Sequence, residues 1–204
     1  MSVLARVVLD IAGALKTDGH YVYASGRHGS AYIDKKRAID DPKLLQLLCR
    51  EIARRYVMSD IEAVVGPESG GALMAPMVAH ELGTFLKTSV PWAAAEKTPD
   101  GGIDVTGEGI LRVKYLRTLI VDDILTTGSS LKKVVESTER IGCRIVSACV
   151  LVNRGGVTAR DICASPKVNL HLDALATMSL TSWAPDACPL CEAGIPVDTD
   201  LGHG

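Results

Sequence analysis

Two adjacent carboxylates beside a loop suited to an anion form an uncommon pairing, and this chain carries one. In Leu119-Ile120-Val121-Asp122-Asp123-Ile124-Leu125-Thr126-Thr127-Gly128-Ser129-Ser130, an apolar run reads as a buried strand. Two acids follow at its carboxyl end, then a Thr/Gly/Ser turn, and then Leu131, Val134, Val135, Thr138 and Ile141 at helical spacing. A strand feeding a small-residue loop and a helix N-terminus makes a phosphate seat. Backbone N–H groups and the hydroxyls of Thr126, Thr127, Ser129 and Ser130 can face one anion, the helix dipole favours negative charge there, and Gly128 lets the chain turn closely. Carboxylates repel phosphate, so Asp122 and Asp123 need another partner. A ribose 5′-phosphate supplies one, with its phosphate on the loop and its 2′- and 3′-hydroxyls donating to the acids. The plainer alternative is a strand–turn–helix with solvated acids and a Ser/Thr cap. A Walker A loop is excluded, because no Gly-Lys-Ser/Thr follows the turn.

These groups need a frame to hold them. Asp41-Pro42 reads as an N-cap with proline at the first helical position, and Leu44, Leu45, Leu48, Ile52 and Tyr56 give one helix face to about Val57. Ile61 to Val65 is continuously apolar, as a parallel strand buried on both faces should be. A glycine-rich turn follows, then a helix through Leu82. Phe85 to Ser89 and Trp92 to Ala95 read as strands, residues 98 to 109 as a mobile loop with four glycines, and Ile145 to Val152 as another strand. Near the start, residues 3 to 16 fit an amphipathic helix. Tyr21 to Ala24 and Ala31 to Asp34 read as short strands flanking a turn over Ser25 to Ser30. Strands alternating with helices predict an α/β fold, a mostly parallel twisted sheet flanked by helices.

In such sheets ligands sit beyond the carboxyl ends of strands, and two further loops fall there. Gly66-Pro67-Glu68-Ser69-Gly70-Gly71 could bring backbone N–H groups to a diphosphate, or be a plain connection. Asn153-Arg154-Gly155-Gly156 ends a strand; its arginine could grip a planar carboxylate with two parallel hydrogen bonds, or be solvated.

The acid pair with its Thr/Gly/Ser loop resembles the phosphoribosyl diphosphate (PRPP) motif of the type I phosphoribosyltransferases. Gly19-His20-Tyr21-Val22, Ser25-Gly26-Arg27, Tyr32 and Asp34 resemble the amino-terminal hood of the orotate phosphoribosyltransferases, and Ala94-Ala95-Glu96-Lys97 with the glycine-rich stretch after it resembles their flexible loop. The resemblance spans about residues 19 to 156. It implies one domain: helix and hood over 1–40, a PRPP-binding core over 41–160 and a C-terminal segment over 161–204. It also implies transfer of phosphoribose from PRPP to orotate, giving orotidine 5′-monophosphate and diphosphate, with Mg²⁺ as cofactor and a homodimer as the working unit. Asp122 and Asp123 would bind the ribose hydroxyls, Thr126 to Ser130 the 5′-phosphate, and Glu68, Ser69, Gly70 and Gly71 the diphosphate. Arg154, Tyr32, Ile33 and Thr126 would meet the base, and Lys97 would reach the diphosphate in the neighbouring subunit. The family's strained non-proline cis peptide would fall at Glu68-Ser69.

Departures point to a divergent subgroup. Ala24 and Gly70 stand where many orotate enzymes have lysine, and Lys97 is the only base between Glu96 and Gly109. Arg27, His28, Lys35, Lys36 or Arg37 would have to supply the missing charge, unless the acceptor is another base. A purine phosphoribosyltransferase and an inactive PRPP-sensing regulator are the rival readings.

Cys49, Cys143 and Cys149 lie in apolar patterns and read as buried thiols. Cys188-Pro189-Leu190-Cys191 has zinc-knuckle spacing, but four ligands are needed, and the remaining donors would be sought among Cys163, His171 and His203. Without a second Cys-x-x-Cys the expectation is a turn with free, half-buried thiols and no metal held by the protein itself; a redox pair lacks a thioredoxin-like context. His80 reads as structural, and His28 as either a phosphate contact or a surface residue. The 204 residues are 47% hydrophobic and 23% charged with a formal net charge of -2, which fits a globular domain and argues against bulk nucleic-acid or membrane-surface binding. No apolar run is long enough to span a bilayer, and Arg6 and Asp10 interrupt the N-terminal apolar stretch, so no signal peptide is read and the expected location is the cytoplasm.

Overall fold

Both faces of the central sheet are buried, which is why its strands read as unbroken apolar runs. The structure, a computed structural model, describes residues 13–23, 25–68, 70–163, 170–178 and 180–201. In chain order these form β1 (Leu15–Lys16), β2 (Tyr21–Val22), β3 (His28–Gly29), β4 (Tyr32–Ile33), α1 (Lys35–Ile39), α2 (Pro42–Tyr56), β5 (Ala63–Pro67), α3 (Gly70–Leu86), β6 (Trp92–Lys97) and β7 (Ile103–Val105). Then come α4 (Gly107–Val113), β8 (Arg117–Leu125), α5 (Ser129–Arg140), β9 (Arg144–Asn153), α6 (Ala159–Ile162), β10 (His171–Thr177), β11 (Ser182–Trp183), a 3₁₀ turn (Pro185–Ala187) and α7 (Pro189–Glu192).

Six strands line up as β10-β9-β8-β5-β6-β7, parallel except for the antiparallel edge strand β7. On one face Leu48 and Ile52 of α2 and Met74, Val78 and Leu82 of α3 pack with Val64, Leu119, Val121 and Cys149. On the other, Val113 of α4 and Leu131, Val134 and Val135 of α5 pack with Val65, Ile120, Ala148 and Val150. Each fully buried side chain of this size contributes roughly 1.5–3 kcal/mol. The predicted cap is present: the Asp41 carboxylate accepts from the N–H groups of Lys43 and Leu44, and Pro42 opens α2.

Some expectations change. The helix expected to stop at Leu82 runs to Leu86, and the strand expected over 85–89 does not form. Lys87 turns left-handed at φ 55, and the Thr88 N–H bonds back to the Gly83 carbonyl, so the helix ends in a tight turn. Residues 98–109 hold secondary structure of their own. Thr98 to Gly102 turn the chain back so that β7 pairs with β6, and α4 follows. That hairpin lies on α5, through Lys133 Nζ to the Gly101 carbonyl (2.6 Å), Arg140 to Asp104 (3.1 Å) and the Val105 N–H to Ser137 Oγ (2.9 Å).

The N-terminal helix expected over 3–16 lies largely outside the described residues; its described end is instead β1, paired with β4. The hood is a three-stranded sheet, β11-β3-β2. Tyr21-Val22 therefore pairs with His28-Gly29, within the segment read as a turn, and a strand from far down the chain completes the sheet.

Candidate functional site

The sheet order reverses between β5 and β8: from β5 the chain crosses to β6 on one side, and from β8 to β9 on the other. Loops leaving two such strands diverge and open a crevice at their carboxyl ends. A cavity of about 200 Å³ lies there, lined by Glu68 and Gly70 from the β5 side and by the run from Asp122 to Leu131 from the β8 side.

Strand β8 continues through the acids to Leu125, so they belong to the strand itself, with Asp122 opposite Val150 and Ile124 opposite Val152. Both acids are largely buried, at 8% and 5% exposure, although they are ionisable. The Asp122 carboxylate accepts from the Asp123 N–H (2.9 Å) and the Asp123 carboxylate from the Ile124 N–H (2.5 Å). These bonds orient the carboxylates and offset part of the cost of burying charge. Gly70 opens α3 directly against Asp123; a Cβ there would collide with the Asp123 carboxylate. A side chain at this position would therefore require the Asp123 carboxylate to shift from where it lies in this structure.

Thr126, Thr127, Ser129 and Ser130 are exposed around the loop, and Gly128 caps α5 with φ 81, a left-handed conformation that suits glycine. Gly128 has no side chain to cap the first turn; the Ser129 N–H donates to Thr127 Oγ1 (3.4 Å), and the N-terminus of this twelve-residue helix lines the crevice. Carboxylate acceptors on one side and N–H and hydroxyl groups on the other suit a guest with both hydroxyls and a phosphate. The polar side chains of its described lining all end in oxygen, the ligand atom that a hard cation such as Mg²⁺ takes. A larger hollow, about 520 Å³, lies along the end of α3 near His80, Thr84 and Trp92, and no carboxylate lines it. Size alone would have misplaced the site.

The other described residues predicted for the site do not line this crevice. Lys97 is exposed at the end of β6, and its N–H donates to Glu68 Oε2 (3.3 Å). Arg154 follows β9, with its N–H bonded to the Leu125 carbonyl, and its guanidinium lies 4.7 Å above the Tyr23 ring of the hood. Burial raises the Tyr23 pKa, while the Arg154 charge works against that rise. Asn153 clamps the arginine loop through both amide atoms to Val157. Tyr32 is half-buried against Tyr21, whereas Ile33 is sunk in the core at 3% exposure because β4 pairs with β1 under the helices. Ser69, Ala24 and the Glu68-Ser69 bond lie outside the described residues.

Three of the basic residues considered as replacements are engaged elsewhere. Arg27 bonds Ser182 twice and Arg37 pairs with Asp34. His28 lies with His20 and the tail cysteines. Cys163 and His171 are not in that cluster, and His203 lies outside the described residues. Sequence reading missed the histidine pair because nothing local links residues 20 and 28 to residues 188 and 191. Cys49, Cys143 and Cys149 are buried, and desolvation pushes the Cys49 and Cys149 thiols up to about 12.

Comparison with known proteins adds to this geometry. Residues 37–168 match the family model described as "Phosphoribosyl transferase domain". The orotate phosphoribosyltransferase of Pelotomaculum thermopropionicum is 33% identical over 178 residues, covering 87% of this chain and 86% of that protein. That of Thermotoga maritima is 28% identical over 201 residues, covering 98% and 99%. The crystal structure of orotate phosphoribosyltransferase from Aeropyrum pernix superposes with a TM-score of 0.60 at 29% identity, covering 85% of this chain and 93% of that one.

Proposed function

Because the chain belongs to the phosphoribosyltransferase family, we propose that it transfers the 5-phosphoribosyl group of PRPP to orotate, releasing diphosphate and forming orotidine 5′-monophosphate. The observation that carries this reading is the shared crevice of Asp122, Asp123 and the Thr126–Ser130 loop, together with relatives named for orotate along most of the chain.

In this reaction the bond from ribose C1 to the diphosphate oxygen breaks as a bond to the orotate ring nitrogen forms. Positive charge develops on the sugar ring, and Asp122 and Asp123, fixed before the substrate arrives, hold its hydroxyls and stabilise that charge. Thr126 to Ser130 and the N-terminus of α5 hold the 5′-phosphate. The turn from Glu68 to Gly71 holds the diphosphate through its backbone N–H groups. Arg154 receives the orotate carboxylate, and the Tyr23 ring beneath its guanidinium supports it from the hood side. Mg²⁺ serves as cofactor; when bound among substrate oxygens and water it neutralises diphosphate charge. The working unit is a homodimer: Lys97 is exposed outside its own crevice, which supports a role in the partner's site. The protein works in the cytoplasm. Among the described residues, no helix is long and apolar enough to cross a membrane.

Diphosphate release from PRPP with Mg²⁺, measured with orotate and then with each purine base, tests the proposal. Release with orotate alone is expected. Release only with a purine would overturn the acceptor, and PRPP binding without release with any base would favour a regulator.

A further inference from the structure

Four metal-binding side chains from opposite ends of the chain meet at the hood. His20 precedes β2, His28 lies on β3, Cys188 caps α7 and Cys191 sits within it. One ligand atom of each lies within 4.8 Å of all the others. His20 Nε2 is 3.6 Å from Cys188 Sγ and 3.7 Å from Cys191 Sγ, and Cys191 Sγ is 3.3 Å from His28 Nδ1. A tetrahedral zinc ion with Zn–S of about 2.3 Å and Zn–N of about 2.05 Å requires N···S edges of about 3.6 Å, which these distances approach. His20 Nε2 and His28 Nδ1 stand 2.8 Å apart, a hydrogen bond; a shared ion would widen that gap to about 3.3 Å.

The surroundings match a metal site as well. A carbonyl only accepts, so the 2.7 Å contact from His20 Nδ1 to the Ile195 carbonyl fixes the proton on Nδ1 and leaves the Nε2 lone pair facing the cluster. The Glu192 N–H bonds to the Cys188 carbonyl and the Gly194 N–H to the Cys191 carbonyl, so a tight turn presents both sulfurs to one side. His20 and Cys188 are buried, while Cys191 is exposed, which leaves an entry path.

We propose that His20, His28, Cys188 and Cys191 bind one structural zinc ion that fastens the C-terminal segment to the hood. Two thiolates with two imidazoles suit zinc among the common divalent metals. Four protein ligands leave no open position for substrate, and none of them lines the β5/β8 crevice, so the ion's role is structural. Binding expels the two thiol protons, and His28 changes tautomer: the Nδ1 proton it gives to His20 leaves, a proton is taken up on Nε2, and the metal takes the vacated place on Nδ1. The hood has reason to need such a link, since its three strands are two residues each and could not hold a sheet together unaided.

The test is metal content of the full chain, purified without metal-affinity steps and measured by plasma mass spectrometry. About one zinc per chain is expected, lost in Cys191→Ser and in His28→Asn but kept in Cys163→Ser. Removing zinc with a chelator should lower Tm by several degrees, and replacing it with Co²⁺ should give the visible absorption of a tetrahedral thiolate site. The Co²⁺ spectrum uses the unaltered chain, so it stands even where a variant fails to fold. Three results would overturn the proposal: a wild-type chain that neither contains zinc nor binds it against a chromophoric chelator, zinc retained in both variants, or Cys188 and Cys191 found joined as a disulfide. None of these depends on whether the protein turns over orotate.

Discussion

The crevice beyond β5 and β8 and the cluster between hood and tail each gather side chains around a charged guest, but they are assembled in opposite ways. In the crevice, Asp122 to Leu131 are consecutive and ride on one strand–loop–helix unit; among the described residues, only Glu68 and Gly70 come from elsewhere. In the cluster, two histidines early in the chain meet two cysteines near its end. Secondary structure fixes the first arrangement, whereas the second exists only when distant parts of the fold have docked. Changes in the crevice should therefore cost activity and spare stability, and changes at the cluster should do the reverse.

The largest effect is expected at Asp123. Asp123→Asn should cut turnover at least 100-fold, about 2.7 kcal/mol of transition-state stabilisation, with Tm and circular dichroism unchanged; full activity in this variant would remove the acid from the mechanism. Arg154→Ala should raise KM for orotate roughly 10- to 100-fold, in line with the loss of charge-assisted hydrogen bonds, and leave PRPP affinity near normal. An equal loss for both substrates would mean that Arg154 acts on the fold and not on the base. Gly70→Ala should lower kcat/KM about tenfold, or 1.4 kcal/mol, because the added methyl pushes the Asp123 carboxylate aside. A crystal structure of that variant with Asp123 unmoved would refute the explanation.

The smallest effect lies outside both regions and calibrates them. Arg54 hydrogen-bonds Glu51 through Nε and Nη2 and, with Arg55 also in contact, holds its carboxyl below the usual carboxylate range. A pKa lowered in the folded state stabilises the fold above the unfolded value of about 4.3, and that gain is lost as pH falls through the folded value. Glu51→Gln should thus show a shallower fall in Tm on acidification than the wild type. The difference should be within about 1 kcal/mol, because Arg54 is largely exposed. Identical acid limbs would show that the clamp contributes nothing measurable.

How far the sequence could be read follows the same division. The unit from Leu119 to Ser130 was legible because each of its signals is local: apolar run, acids, small-residue turn, helical spacing. Asp41-Pro42 was legible for the same reason. Phe85 to Ser89 misled, since aromatic and β-branched residues at a helix end look like a strand until the left-handed turn at Lys87 is seen. Residues 98–109 misled by glycine content, because the docking of Asp104 and Gly101 on α5 is a tertiary fact. Of the hood strands only β2 was found: β3 fell in the segment read as a turn, and its second partner, β11, lies at the far end of the chain. The cysteine spacing was visible from the start. The histidines that complete it were not, because spacing along a chain carries no information about which distant residues become neighbours.

The pairing of β11 with β3 also bears on how the protein is made. A ribosome adding about 5–20 residues per second finishes His28 and Gly29 roughly 8–30 s before it delivers Ser182 and Trp183. During that interval the central sheet can begin to assemble, while the earliest segment waits with an open edge for the strand that closes it.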